Sequence, residues 1–483
     1  MACWIVRFKF YPPLQLKRTP VDYALLAFFI LSGVSSFFSY SMVLSVGKMR
    51  AASLFTIAYL FSQNISSRRL VRWLTIVLIA SFGVNVCYTI AERAWGRGIK
   101  VQGVVAESPL AAAVFRKESA LDGRAQRGTG SDVSEWQLTP TPIINGDTIL
   151  SVDGRKINNA LDLATALAAL NPKPAEVKIY RVEWSPVLEV PRGRLLSGTT
   201  SEAQLGINSW SISRDWRATG FFGHYVTYAE ALQLVLAIVV GLFICHPGKR
   251  SKLALLLLLA LAGFGFALLL TVTRASWIAA LISTLIILLS HSSRKAIAIG
   301  GALTLVLVLV GVFVLRQQRS INPFDRADQS TTWREQVWRE GYNLLVSSPR
   351  HLLVGVGMDS IKGHRREWRL FDNGRLPPGH MHSNILQIAL ERGIPALICW
   401  LIMLGVYGRM LWQMTRSDQS DNWIERGLVL GALGGLCGFF LSGLVHYNWG
   451  DSEVVTIFYI IMGLTLSLKS NVQSPISGSQ TMR

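Results

Sequence analysis

Apolar residues in this chain fall in blocks rather than in strand-like alternation. Uncharged or nearly uncharged runs cover residues 23–47, 51–67, 73–91, 226–245, 253–273, 275–293, 296–315, 393–412, 427–446 and 454–468. A helix needs about 20 apolar residues to cross a hydrocarbon core about 30 Å thick, and the run from Leu253 to Thr273 holds 21 residues without a charge. The blocks predict a polytopic α-helical membrane protein of ten spans. The first block, Tyr23–Gly47, has 25 residues, too long for a cleavable signal core, and is expected to stay as a span.

Two long polar segments interrupt the blocks, residues 92–222 and 316–383. The first has the pattern of a folded α+β insert. It shows strand-like alternation at Lys100–Val105, a turn at Asn145-Gly146-Asp147, a strand at Thr148–Val152 and a turn at Asp153-Gly154. A helix at Leu161–Leu170 and a strand at Glu176–Val182 follow. The boundaries this suggests are 1–96 for N-terminal spans, 97–211 for the insert, 212–315 for further spans, 316–392 for a large loop, and 393–483 for the C-terminal spans and tail.

Composition agrees with the pattern: 51% of residues are hydrophobic and only 16% charged, against about 25% charged in an ordinary soluble protein. The net charge of +19 would suggest nucleic acid in a soluble chain. Here the basic residues cluster as Arg7, Lys9, Lys17 and Arg18, then Arg68, Arg69 and Arg72, then Lys249, Arg250 and Lys252, then Arg294 and Lys295, then Arg416 and Arg426. Every cluster falls on one side if the N-terminus is cytoplasmic, so membrane lipids are the expected partner and nucleic acid is not. Both termini are then cytoplasmic. The two long segments lie outside, with 16 basic against 14 acidic residues in the first and 11 against 7 in the second. The five cysteines, Cys3, Cys87, Cys245, Cys399 and Cys437, lie outside both long loops, which indicates neither a disulfide framework nor a thiolate metal site.

Candidate chemistry gathers at the outer side. His380-Met381-His382 ends the second loop, where a neutral imidazole can take a proton from a hydroxyl near pH 7. The His-x-His spacing would suit a metal, but no third ligand stands at a recognisable spacing, and none is expected. Arg274 interrupts nearly forty otherwise uncharged residues; a charge at that depth marks a functional site or a snorkelling anchor. Glu230, near the outer end of its span, could pair an arginine or orient a histidine.

The run from Gly379 to Pro395, GHMHSNILQIALERGIP, resembles the signature H-x-H-[NS]-x-x-L-Q with A-x-E-x-G-[IL]-x-G of the O-antigen ligase and O-antigen polymerase superfamily. Ser383 stands where that family often has Asn, and Ala396 where Gly is common. Thr271 to Trp277 is similar to its T-x-[ST]-R-[GA]-x-W. Trp333-Arg334 through Trp338, Ser348-Pro349 and Gly355-Val356-Gly357 resemble its outer-loop run, and Arg217 to His224 gives a weaker match before a span. The resemblance covers about residues 213–465.

It implies a glycosyltransferase that moves a glycan from undecaprenyl diphosphate to a hydroxyl of a lipid or protein acceptor, on the outer face of a bacterial inner membrane, without cofactor. His382 would be the base, with His380 beside it, and Arg274 would stabilise the diphosphate leaving group. Arg334, Arg217, His224 and Glu230 would bind substrate; His224 could instead be a helix cap and Arg217 a headgroup anchor. Ligase and polymerase are not separable at this level.

The insert resembles a PDZ domain of the bacterial protease-associated type, through VAESPLAAA at 105–113, INGDTILSVDG at 144–154 and VKIYR at 177–181. That resemblance implies a loop, Gly96-Arg97-Gly98-Ile99, receiving the C-terminal peptide of an envelope protein. A long stretch, Lys117–Thr139, departs from it. A PDZ insert also suggests an intramembrane protease, but H-E-x-x-H is missing from the sequence. A polysaccharide transporter or a PDZ-bearing scaffold are the remaining alternatives.

Overall fold

The computed structural model describes residues 17–118, 136–181, 185–291, 329–374, 379–417 and 422–472. The chain divides into two compact units, one formed by Met1–Cys87 with Thr219–Arg483 and the other by Tyr88–Ala218.

The first unit is helical. Its principal helices are α1 (Asp22–Phe37), α2 (Met42–Ala52), α3 (Thr56–Asn64), α4 (Arg68–Trp95), α5 (Tyr225–Cys245), α6 (Lys252–Leu270), α7 (Arg274–His291), α8 (Gln329–Val346), α9 (Asn384–Arg416), α10 (Trp423–Ser442) and α11 (Ser452–Val472). Among the described residues seven stretches are long and apolar enough to cross a membrane, counting Met42–Asn64 as one, and α1 and Arg274–Ser290 are shorter apolar helices. The expected span at 296–315 lies outside the described residues. The chain is a polytopic helical membrane protein.

The expected single span 23–47 is in fact two helices. α1 stops at Phe37 and the chain reverses through Phe38–Ser41. Lack of charge marks apolarity, not continuity: Ser39 shares hydroxyl hydrogen bonds with Ser45 at 2.6 Å and Ser360 at 2.8 Å, and the Tyr40 amide donates to the Val356 carbonyl. These partners compete with the helix for the same groups.

Packing fixes the direction of the central helices. An added Cβ on Gly427 would meet the backbone of Leu242, on Gly431 that of Ile238, and on Gly438 the side chains of Gln233 and Ser283. α10 therefore runs antiparallel to α5, close enough that only glycine fits. Gly434 lies against Ser283 and Ile287 of α7, so α7 is antiparallel to α10 as well. The starts of α5 and α7 and the end of α10 consequently share one end of the bundle, and the Asn384 amide, bonded to the Gly443 carbonyl at 2.7 Å, brings the start of α9 there. At the other end Arg68 and Arg72 pair with Glu425 and His246 packs edge-on to Trp423, in the loops that carry the clustered cations.

The second unit is an eight-stranded sheet of β1 (Ile99–Gln102), β2 (Val114–Glu118), β3 (Trp136–Pro140), β4 (Thr148–Val152), β5 (Arg155–Lys156), β6 (Ala175–Tyr180), β7 (Val187–Val190) and β8 (Ser209–Ile212). The order is β3-β2-β7-β6-β4-β1-β8, with β5 paired to β4. Ile99, Val101, Ile149, Val177 and Ile179 point from the sheet into one core, which the helix Ala160–Ala168 covers with Leu163 and Leu167. Gly146, at φ +91°, and Asp153-Gly154, both at positive φ, form the turns the sequence predicts.

Candidate functional site

The His380-Met381-His382 run that leads into α9 is pinned at its middle residue. Met381 is fully buried; its amide donates to the Gln387 side-chain oxygen at 2.6 Å, and its carbonyl accepts the Trp338 indole N–H at 2.7 Å. Residues on either side of such an anchor come round together, and the His380 and His382 ring centroids are 4.1 Å apart. His382 adopts φ +48°, a left-handed conformation uncommon for a side chain with a Cβ. Its amide donates to His380 Nδ1 at 3.2 Å. That nitrogen is thus an acceptor, and the neutral His380 ring keeps its proton on Nε2.

Charge and burial keep both rings neutral. Burial, then the nearby His446, Lys362 and His224, push His380 down to about 4. His382 is pushed lower still, by burial first and then by His380, Arg334, His446 and His224. Two neutral imidazoles at pH 7 offer lone pairs without first losing a proton.

α8 packs on this segment. Trp333 lies edge-on to His382, centroids 4.6 Å apart, so the adjacent Arg334 sits where its charge acts on that ring. The helix is tied down by Glu340, which accepts from the amides of Phe371 at 2.6 Å and Asp372 at 3.2 Å. Arg274 opens α7 at the same end of the bundle. Val272, two residues before it, has φ +53°, costly for a β-branched residue. Trp277 holds the turn by donating its indole N–H to the Leu268 carbonyl at 2.8 Å. Strained backbone thus stands at both the His382 and the Arg274 motif.

Three of the expected substrate-binding residues have local partners. Glu230 was expected to bind substrate, yet both its oxygens are taken: Oε1 bonds His446 Nδ1 at 2.8 Å, and Oε2 accepts from Ser442 at 2.6 Å and Asn448 at 2.9 Å. It orients a histidine, but His446 rather than His380 or His382. His224 caps α5, its Nδ1 accepting the Val226 amide at 3.3 Å. Arg217 belongs to the sheet unit and is buried, and its main-chain amide donates to the Tyr180 hydroxyl at 3.3 Å.

The expected peptide loop, Gly96-Arg97-Gly98-Ile99, leads into a strand that is paired on both sides. Gly96 and Gly98 have positive φ and the loop enters β1, but β1 is paired on both edges, with β4 on one side and β8 on the other. Ile99 through Gln102 align with Ile212 through Ser209. With β4 and β8 on its two sides, β1 has no open edge for an added strand.

Beside His380 lies a cavity of about 390 Å³, lined among others by Gln387, Glu391, Arg392, Tyr447 and Asp451. Glu391 forms one wall and accepts from Gln387 at 2.9 Å, the Asp359 amide at 2.8 Å and the Tyr447 hydroxyl at 3.3 Å. Sequence reasoning missed Arg392, His446, Tyr447 and Asp451. The one available signal was polar residues inside or beside apolar blocks. Among the described residues no cluster of three or more His, Cys, Asp or Glu side chains could hold a metal ion.

Residues 256–401 match the family model described as O-antigen ligase. No curated protein gives a match. The matched segment contains Arg274, Arg334, His380 and His382 and supports an O-antigen ligase or polymerase type of membrane function, and with it a glycosyltransferase-like enzyme. Glu230, His446 and Asp451 lie outside it.

Proposed function

We propose that the protein transfers a glycan from undecaprenyl diphosphate to an acceptor hydroxyl at the outer face of a bacterial inner membrane, with both termini cytoplasmic. The observation that carries this reading is the close His380–His382 pair next to the Arg334 helix, at the bundle end that also holds Arg274. His382 is the base: the Nδ1 of His380 is already an acceptor, which leaves His382 with the free lone pair.

In the reaction the acceptor hydroxyl gives its proton to His382 while its oxygen bonds the anomeric carbon. The bond from that carbon to the diphosphate oxygen breaks, and the electron pair leaves with the lipid diphosphate. Guanidinium groups stay charged at a lipid boundary and match phosphate oxygens, so Arg274 and Arg334 stabilise the charge growing on the leaving oxygen. Binding of that anion also raises the depressed basicity of His382, because it offsets the surrounding positive charge.

The fold of the insert supports a PDZ-like module whose groove is closed by β8. A cell deleted for the protein and complemented with wild type, Arg274→Ala or His382→Ala tests the reading. Lipid-linked glycan is expected to accumulate with both variants, each present in the membrane, with turnover down by about 10²-fold or more for the base. Wild-type glycan profiles from both variants defeat the proposal. Single repeat units on the accumulated lipid point to a polymerase, and full-length chains to a ligase.

A further inference from the structure

The cavity beside His380 is lined by a buried cation that has no hydrogen-bonded oxygen among the described residues. Arg392 is 6% exposed. Its Nε and Nη1 have no hydrogen-bond partner among the described residues, and Nη2 reaches only the Met358 sulfur at 3.2 Å, a weak acceptor. The guanidinium stacks over Phe28 at 5.2 Å. A buried guanidinium without an oxygen partner is costly, and here it lines a cavity whose size, about 390 Å³, falls in the small-ligand range of about 300–1,000 Å³. The missing partner is an oxyanion.

The other walls narrow the choice. Lys48 and Lys362 also line the cavity, but both already pair with Asp359, at 3.0 and 2.8 Å. Glu391, Asp451 and Glu453 add carboxylates. Asp451 takes the Thr227 hydroxyl on Oδ2, while its buried Oδ1 has no hydrogen-bond partner among the described residues; burial, and Glu453 beside it, hold this carboxyl above the usual carboxylate range. Among the described residues Arg392 is the lining cation without an ion pair, and the several carboxylates around it repel a multiply charged diphosphate. The cavity suits a ligand with a single negative charge and many hydroxyls, whose O–H groups the carboxylates can accept.

We propose that this cavity is a subsite for an acidic sugar, in which Arg392 takes the carboxylate of a uronic-acid-type residue and Asp451 takes its hydroxyls. The assignment rests on the glycosyl-transfer reading and names its substrate class.

Full-length protein in nanodiscs is titrated with methyl glucuronide, methyl glucoside and inorganic pyrophosphate, with binding followed by ligand-observed NMR. The glucuronide should bind at least about tenfold tighter than the glucoside, Arg392→Gln should reduce it to the glucoside level, and Asp451→Asn should weaken both. Equal binding of the two sugars by wild type, or saturable binding of neither, overturns the proposal whatever the variants do. Pyrophosphate displacing the glucuronide, and itself lost in Arg392→Gln, assigns the cavity to the donor diphosphate and also overturns it. The outcome separates from the transfer reading: if Arg274→Ala blocks glycan consumption while the sugars are not discriminated, only the subsite fails. If Arg274→Ala is silent and the discrimination holds, transfer fails and the acidic-sugar site remains.

Discussion

Glu230 and Arg392 are both charged, both buried, and both at the end of the bundle where the histidines lie, yet their surroundings are opposite. Each oxygen of Glu230 has a donor, three in all, from His446, Ser442 and Asn448, and Asn448 in turn accepts from Asn384 at 2.6 Å. These contacts join α5, α9, α10 and the loop before α11. Arg392 has no oxygen acceptor among the described residues and faces a cavity. A charge whose bonding capacity is spent on the protein holds the frame together. A charge left unspent is available to a ligand, and the fold carries its cost.

The sharpest way to break this comparison is Glu230→Leu. It deletes the acceptor for three buried donors at once, and removing one partner of a buried charged network costs about 3–5 kcal/mol. The expected outcome is a large fall in the thermal unfolding midpoint in detergent, with Glu230→Gln falling less because it still accepts. An unfolding midpoint unchanged in Glu230→Leu would remove the distinction between the two groups.

A smaller effect comes from the histidine pair. The pKa of His380 is lowered in the folded state, to about 4, whereas the unfolded chain protonates near the ordinary value of about 6.5. Between those limits the unfolded state binds more protons, so stability falls as pH drops from about 6.5 toward 4 and does not depend on this group above that window. The same neutrality keeps the base available, so the acid limb of activity should lie below the ordinary histidine range. His380→Asn should flatten the dependence of the unfolding midpoint between pH 7 and 5; an unchanged slope would mean that the ring is not held neutral.

Much of the fold was readable from the sequence because burial in lipid and turn chemistry leave local marks. The charge-free blocks gave most of the helices, and Asn145-Gly146-Asp147 and Asp153-Gly154 gave turns around β4. The reversal at Phe38–Ser41 was not readable, since what ends α1 is a set of serine partners more than 300 positions away. β8 escaped notice because Ser209–Ile212 becomes a strand only through pairing with β1. The same logic divides the site. His380 and His382 are two residues apart and stood out together; His446 acquires its role from Glu230, 216 positions earlier, and the orphaned state of Arg392 is visible only when its neighbours are known.

The smallest expected effect is on stability in Arg392→Met. Methionine keeps much of the aliphatic stem beside Phe28 and Met358, while removing a guanidinium with two nitrogens that have no partner among the described residues. Replacing a buried, poorly partnered charge by an apolar side chain of similar length is commonly neutral or stabilising, so the unfolding midpoint should stay level or rise, within about 1 kcal/mol. The methyl glucuronide preference should nevertheless disappear, since the other lining cations among the described residues, Lys48 and Lys362, already pair with Asp359. A fold that keeps its stability and loses its acidic ligand is what separates Arg392 from Glu230, where the same kind of substitution takes the frame apart. A clear loss of stability in Arg392→Met would instead mean that the guanidinium serves the fold, and the contrast between the two buried charges would collapse from the other side.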